Sequence, residues 1–109
     1  MDDKEVANMF KCLSVEARVR IVSLLKGQTL CVNALTARLN MTQGAVSQHL
    51  RILRDAGLVL PEKRGYWVHY RLNEATLAKW GDEAKMLLGP SRPQLPVLTP
   101  IASKTKEDS

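Results

Sequence analysis

A chain of 109 residues, 45% apolar and 25% charged, has the size of one small domain. Such a domain buries only about 60 to 65% of the surface its unfolded chain exposes, so pairing with a second copy would add stability. The net charge of +5 favours a polyanionic partner over an enzyme for acidic substrates, although charge alone does not separate nucleic acid from an anionic membrane. No apolar run approaches the roughly 18 residues needed to span a bilayer, and the acidic start "MDDKE" lacks the basic head and apolar body of a signal peptide. The chain is therefore expected to be cytoplasmic and not membrane-bound. Its two cysteines, Cys12 and Cys31, are too few for a disulfide scaffold and are expected to be free thiols.

In chain order, Val6, Met9, Phe10 and Leu13 recur at helical spacing and predict a short amphipathic helix over residues 3–13. Ser14 stands where it would cap a second helix, "VEARVRIVSLLK", apolar at Ile21, Leu24 and Leu25 with Val22 adjoining, and closed by Gly27. A short third helix, "VNALTARL", leads into the tight turn "LNMT". Thr42 is placed to N-cap the fourth helix, residues 43–56, which Gly57 ends. Residues 58–60, the charged turn "PEKRG" and the strand "YWVHYRL" predict a two-stranded hairpin, with Tyr66, Val68, Tyr70 and Leu72 alternating with Trp67, His69 and Arg71. The last helix, residues 74–88, carries Leu77, Trp80, Ala84 and Leu87 on one stripe and stops at "GP". Residues 89–109 hold four of the five prolines and a Ser/Lys/Glu finish, so the organised domain is expected at 1–88 and a disordered tail at 89–109.

The fourth helix sorts by phase. Val46, Leu50 and Leu53 fall on one face, flanked by Ala45, Ile52 and Ala56, and are expected to pack on the second and third helices. The other face shows Gln43, Gly44, Ser47, Gln48, Arg51 and Arg54. Gln can bond adenine bidentately, Ser either partner of a pair, and Arg guanine or a phosphate. Gly44 costs helix stability but lets the backbone approach another surface closely. An ordinary solvated face is the plain alternative. Context favours DNA: a short helix, a tight turn and a second helix with its polar face outward have the helix-turn-helix arrangement, and the basic hairpin downstream has the place of a wing, with Lys63 and Arg64 at its tip and Gly65 permitting the bend.

Taken together, "LSVEARVRIVSLL", "LCVNALTARLNMTQGAVSQHLRILRDAGLV" and "GYWVHYRL" resemble the winged-helix repressors of the ArsR/SmtB family over about residues 6–88, with "SQHL" followed by "LRDAGLV" as the strongest part. The resemblance implies a mainly α fold with a small β-hairpin, a winged helix-turn-helix in which four helices precede two strands and a fifth helix. It implies a homodimer through the first and last helices, with Val6, Met9 and Phe10 against Leu77, Trp80, Ala84 and Leu87. It also implies a sequence-specific repressor released from its operator by an inducer. A two-fold dimer presents two recognition helices about 34 Å apart, which predicts an inverted-repeat site on double-stranded DNA.

The inducer is the open part. Metal-responding relatives carry two cysteines in an "ELCVCDL" segment, where a soft thiolate pair holds arsenite, cadmium or lead. Here the segment reads "TLCVNAL": Cys31 matches the first cysteine and Asn33 replaces the second. The family's other metal site uses Asp, His and Glu of the last helix, and "EATLAKWGDEAKMLL" has no His or Cys. Sulfide-sensing relatives pair a cysteine on the second helix with one on the last; Ser23 stands near the first position and nothing near the second. Cys12 and Cys31 remain as candidate metal or redox residues. Cys12 lies off the centre of its helix's apolar stripe and could face a seam between elements or subunits. Cys31 opens the third helix, where the helix dipole favours thiolate. Two such thiols, within or across protomers, could form a disulfide or hold arsenite or another soft metal, and the ordinary fate of cysteine as a small buried hydrophobe stands beside this.

His49 sits among the DNA-face residues, placed either to donate to a phosphate or to close the edge of the core, and His69 is expected on the solvated side of the wing. Trp67 is placed to brace the wing against the recognition helix. The leading reading is an inducible repressor in which Thr42, Gln43, Ser47, Gln48, His49, Arg51 and Arg54 read or position DNA and Lys63 and Arg64 hold phosphates. Two alternatives are a winged-helix module for protein association, and a repressor with an organic ligand and structural cysteines. An enzyme is not expected: the sequence has no glycine-rich phosphate loop, paired carboxylates or nucleophile-base motif.

Overall fold

The structure, a computed structural model, describes residues 1–91; nearly all of the expected tail lies outside the described residues. Helix α1 (Asp3–Cys12) opens on a capping box, in which the Asp2 carboxylate accepts from the Glu5 amide at 2.8 Å and Glu5 accepts from the Asp2 amide at 2.9 Å. Helix α2 (Glu16–Leu24) starts at Val15 without a side-chain cap. Ser14, expected to cap it, instead donates its hydroxyl to the Lys11 carbonyl at 2.7 Å, so it closes the first helix and does not open the second.

Strand β1 (Leu30–Cys31) leads into α3 (Val32–Leu39). Asn40 then takes the left-handed conformation, φ 55°, which turns the chain sharply toward α4 (Gln43–Asp55). Asparagine is among the few non-glycine residues that adopt it readily. The Arg20 guanidinium donates to the Leu39 and Arg38 carbonyls at 3.4 and 3.3 Å, covering acceptors that the end of α3 leaves free. Thr42 caps α4 as expected, its hydroxyl accepting from the Ala45 amide at 3.2 Å.

The wing is larger than the hairpin its sequence predicts. Strands β2 (Val59–Arg64) and β3 (Trp67–Leu72) pair antiparallel, and β1 joins the other side of β3 with Leu30 opposite Tyr70 and Cys31 opposite His69, in the order β1-β3-β2. Residues 61–64, expected as turn, are strand. Pro61 is tolerated because β2 is the sheet edge, and the reversal needs only Gly65 and Tyr66, with Gly65 at φ 62°. A two-residue strand such as β1 is too short to leave an alternation in the sequence. Helix α5 (Glu74–Leu88) follows, capped by Asn73, which accepts from the Thr76 amide at 3.4 Å.

The core lies between α2, α3, α4 and the base of the sheet. Ile21, Leu25, Leu35, Val46, Leu50, Leu53, Leu58, Val59 and Leu72 are its fully buried side chains. Each contributes about 1.5 to 3 kcal/mol by burial. Because Val46, Leu50 and Leu53 anchor one face of α4 so firmly, the opposite face is held outward as a rigid unit.

Candidate DNA-binding face

Thr42, Gln43, Gly44, Ser47, Gln48, Arg51 and Arg54 are all exposed along α4, as their helical phase requires. Gly44 has no neighbour that a Cβ would meet, so the fold itself does not need glycine there. Ile52, expected to flank the buried stripe, is 39% exposed.

His49 is different: it is half-buried, and its Nδ1 lies 3.2 Å from a terminal nitrogen of Arg18. Arginine has donors only, so Nδ1 must be the lone-pair nitrogen and the imidazole is neutral with its proton on Nε2. Burial, and secondarily the Arg18 charge, hold the His49 pKa below its ordinary 6.5. Arg18 is itself buried, at 8% exposure, and its Nε donates to the Cys12 carbonyl at 2.6 Å. The sequence reading assigned Arg18 no role. Its signal was phase: Arg18 lies three, four and seven residues before Ile21, Val22 and Leu25, on the buried stripe of α2.

Lys63 and Arg64 stand on β2 beside the wing tip, opposite Val68 and Trp67, and the tip itself is Gly65 and Tyr66. Tyr66, expected in the strand, lies in the turn at the wing tip and is 99% exposed. Arg64 donates from Nε to Glu62 at 2.9 Å, and Arg71 approaches the same carboxylate at 3.2 Å. These contacts, the Arg64 hydrogen bond first, hold the Glu62 pKa below the usual range. Lys63 has no such partner among the described residues and is the freer of the two charges. Trp67, 59% exposed, lines a cleft with Gln43 at the start of α4, together with Cys31, Val32, Asn33 and Val68. His69, expected to be solvated, is half-buried, with Nδ1 sealed from solvent and unpartnered.

The thiols do not converge within one protomer. Cys12 is buried at the seam of α1, α2 and α4, and burial pushes its pKa up against a smaller opposing effect of Arg18. Cys31, half-buried, faces a separate cleft beside the wing. An arsenite or soft-metal chelate using both thiols of one chain does not fit this arrangement, and among the described residues no group of three or more His, Cys, Asp and Glu is placed to hold a metal.

Of the residues expected at a dimer interface, Met9 is 3% exposed and already packed inside the protomer. It lines two clefts together with Trp80 of α5. Val6, Phe10, Leu77, Trp80 and Ala84 are half-buried and Leu87 is 60% exposed. Phe10, Leu77, Trp80 and Ala84 border an open, mostly apolar cleft of about 250 Å³ between α1 and α5.

A helix-turn-helix with an exposed polar recognition face, followed by a basic wing, defines a winged-helix DNA-binding protein. The comparisons agree. The model of the family "Bacterial regulatory protein, arsR family" matches residues 16–60. The arsenical resistance operon repressor of Escherichia coli is 47% identical over 81 residues, 70% of this chain and 68% of that one. The arsenic resistance transcriptional regulator ArsR1 of Pseudomonas putida is 39% identical over 68% of this chain and 58% of its own length. Among solved structures, the ArsR-like transcriptional regulator from Rhodococcus sp. RHA1 superposes with a TM-score of 0.68 at 31% identity, covering 77% of this chain and 79% of that one. The chain belongs to the ArsR family and is a transcriptional regulator, not an enzyme. No helix of the described residues is long and apolar enough to cross a membrane.

Proposed function

We propose that the protein is a cytoplasmic homodimeric repressor that binds an inverted-repeat operator through α4 and the wing and leaves it when an inducer acts. The observation that carries this is the division of α4: Val46, Leu50 and Leu53 are sealed in the core while Gln43, Ser47, Gln48, Arg51 and Arg54 face outward together. In this reading Gln43, Ser47 and Gln48 meet base edges, Thr42, Arg51, Arg54, Lys63 and Arg64 hold backbone phosphates, and His49 offers Nε2–H to a phosphate. Dimerisation covers the stripe of α5, a helix without one fully buried residue.

Two relatives are named for arsenic resistance, which supports arsenite as the first inducer to try. Within one chain the candidate is Cys31, completed by groups outside its own protomer, because Cys12 lies in the core. The test is binding to the chain's own upstream promoter fragment with reduced protein, oxidised protein, and reduced protein plus arsenite. Affinity should fall steeply with salt, with a log-log slope of about −0.9 per phosphate neutralised, and should drop with arsenite or oxidant. Binding insensitive to both points to structural cysteines and an organic inducer. No preference for any duplex over another supports a protein-association module, for which exposed Met86, Leu87 and Leu88 would be the surface.

A further inference from the structure

Arg18 is a buried cation without a buried anion. Its acceptors are both neutral, the Cys12 carbonyl and His49 Nδ1, and among the described residues no carboxylate pairs with it. Buried charges are ordinarily paired, because desolvation leaves an unpaired one at a large cost. Its second terminal nitrogen, Nη2, has no acceptor among the described residues, yet it is not sealed from solvent. Arg18 lines a cleft of about 300 Å³ together with Asn8, Lys11 and Cys12 of α1 and Ile52 and Ala56 of α4. That volume is at the lower end of small-molecule sites. The cleft thus joins a guanidinium with free donors, a second cation and an amide to the exposed apolar side chains of Ile52 and Ala56.

We propose that this cleft binds a small anion through Arg18, with Lys11 and Asn8 at the rim, and that the anion weakens DNA binding. The recognition chemistry is an oxyanion group, and the apolar side chains of Ile52 and Ala56 favour a carboxylate on an apolar body over inorganic phosphate. Coupling follows from position. Arg18 lines the cleft and also donates to His49 on α4, so an anion held at its free donors places negative charge beside a helix that must approach a polyanion. By linkage, DNA weakens the anion by the same factor. The coupling rests on α4 being the DNA-reading helix, whereas the anion site does not.

The test titrates reduced full-length protein with benzoate and, separately, with inorganic phosphate at constant ionic strength, following amide NMR signals. Saturable shifts at Asn8, Lys11, Cys12, Ile52 and Ala56, without matching shifts at Lys63 and Arg64, are the expected result. Benzoate should bind more tightly than phosphate. Arg18→Lys should weaken binding about tenfold, since it keeps a charge but loses the fork. Lys11→Ala, at an exposed rim position that leaves the core intact, should weaken it about threefold. Saturating benzoate should lower affinity for the upstream DNA fragment about fivefold or more. Shifts spread equally over the wing, no saturation with either anion, or cleft shifts produced only by duplex DNA would overturn the proposal, the last by making Arg18 a DNA phosphate contact. If the fragment is not bound at all, the repressor reading fails while the NMR titration still decides the cleft.

Discussion

A terminal nitrogen of the Arg18 guanidinium lies 3.2 Å from Nδ1 of His49, joining the start of α2 to the middle of the recognition helix. Because burial and Arg18 both disfavour the imidazolium, His49 stays neutral in the folded chain below its ordinary pKa of 6.5. The unfolded chain takes up that proton first. Stability is therefore highest above 6.5 and falls as pH drops through 6.5, until the lowered folded pKa is passed. His49→Asn, which keeps an acceptor for Arg18 but cannot titrate, should flatten the decline in thermal midpoint measured between about pH 7.5 and 5.5. An unchanged pH profile would place the titration elsewhere.

Gln48 and Lys63 are both exposed but should fail differently. Gln48→Ala should cost about 1 to 3 kcal/mol on the operator and far less on unrelated duplex, as expected of a base-reading side chain. Lys63→Ala should weaken both DNAs alike and make the salt dependence shallower by about one phosphate. Equal losses on the two DNAs for Gln48 would make it a positioning residue.

Alkylation should separate the thiols. Buried Cys12, its pKa raised, should resist iodoacetamide in the native protein and react on unfolding, whereas half-buried Cys31 should be labelled first. Peptide mapping after a short exposure reads this directly. Early labelling of Cys12 would mean that the seam between α1, α2 and α4 opens readily.

Leu87, 60% exposed at the end of the α5 stripe, can be changed without touching the core of the protomer. Leu87→Glu should leave far-UV circular dichroism little altered. It should shift sedimentation toward monomer and weaken binding to an inverted repeat, because two linked recognition helices become one. A variant that remains dimeric would move the interface away from this end of α5.

The helices and the polarity of α4 were legible in the sequence, since period, caps and glycines are local signals. The placement of α3, α4 and α5, the Thr42 cap and the outward face from Gln43 to Arg54 all follow from them. Tertiary structure decided what depends on who sits opposite whom. β1 exists only because β3 supplies its partners, and residues 61–64 extend as strand only because they run along a sheet edge. Met9 is sealed inside the protomer, and Ser14 is claimed by the end of α1. Arg18 shows the difference most clearly. Its phase already placed it inside, but a buried guanidinium has meaning only through its acceptors, and those come from α1 and α4, six and 31 residues away along the chain.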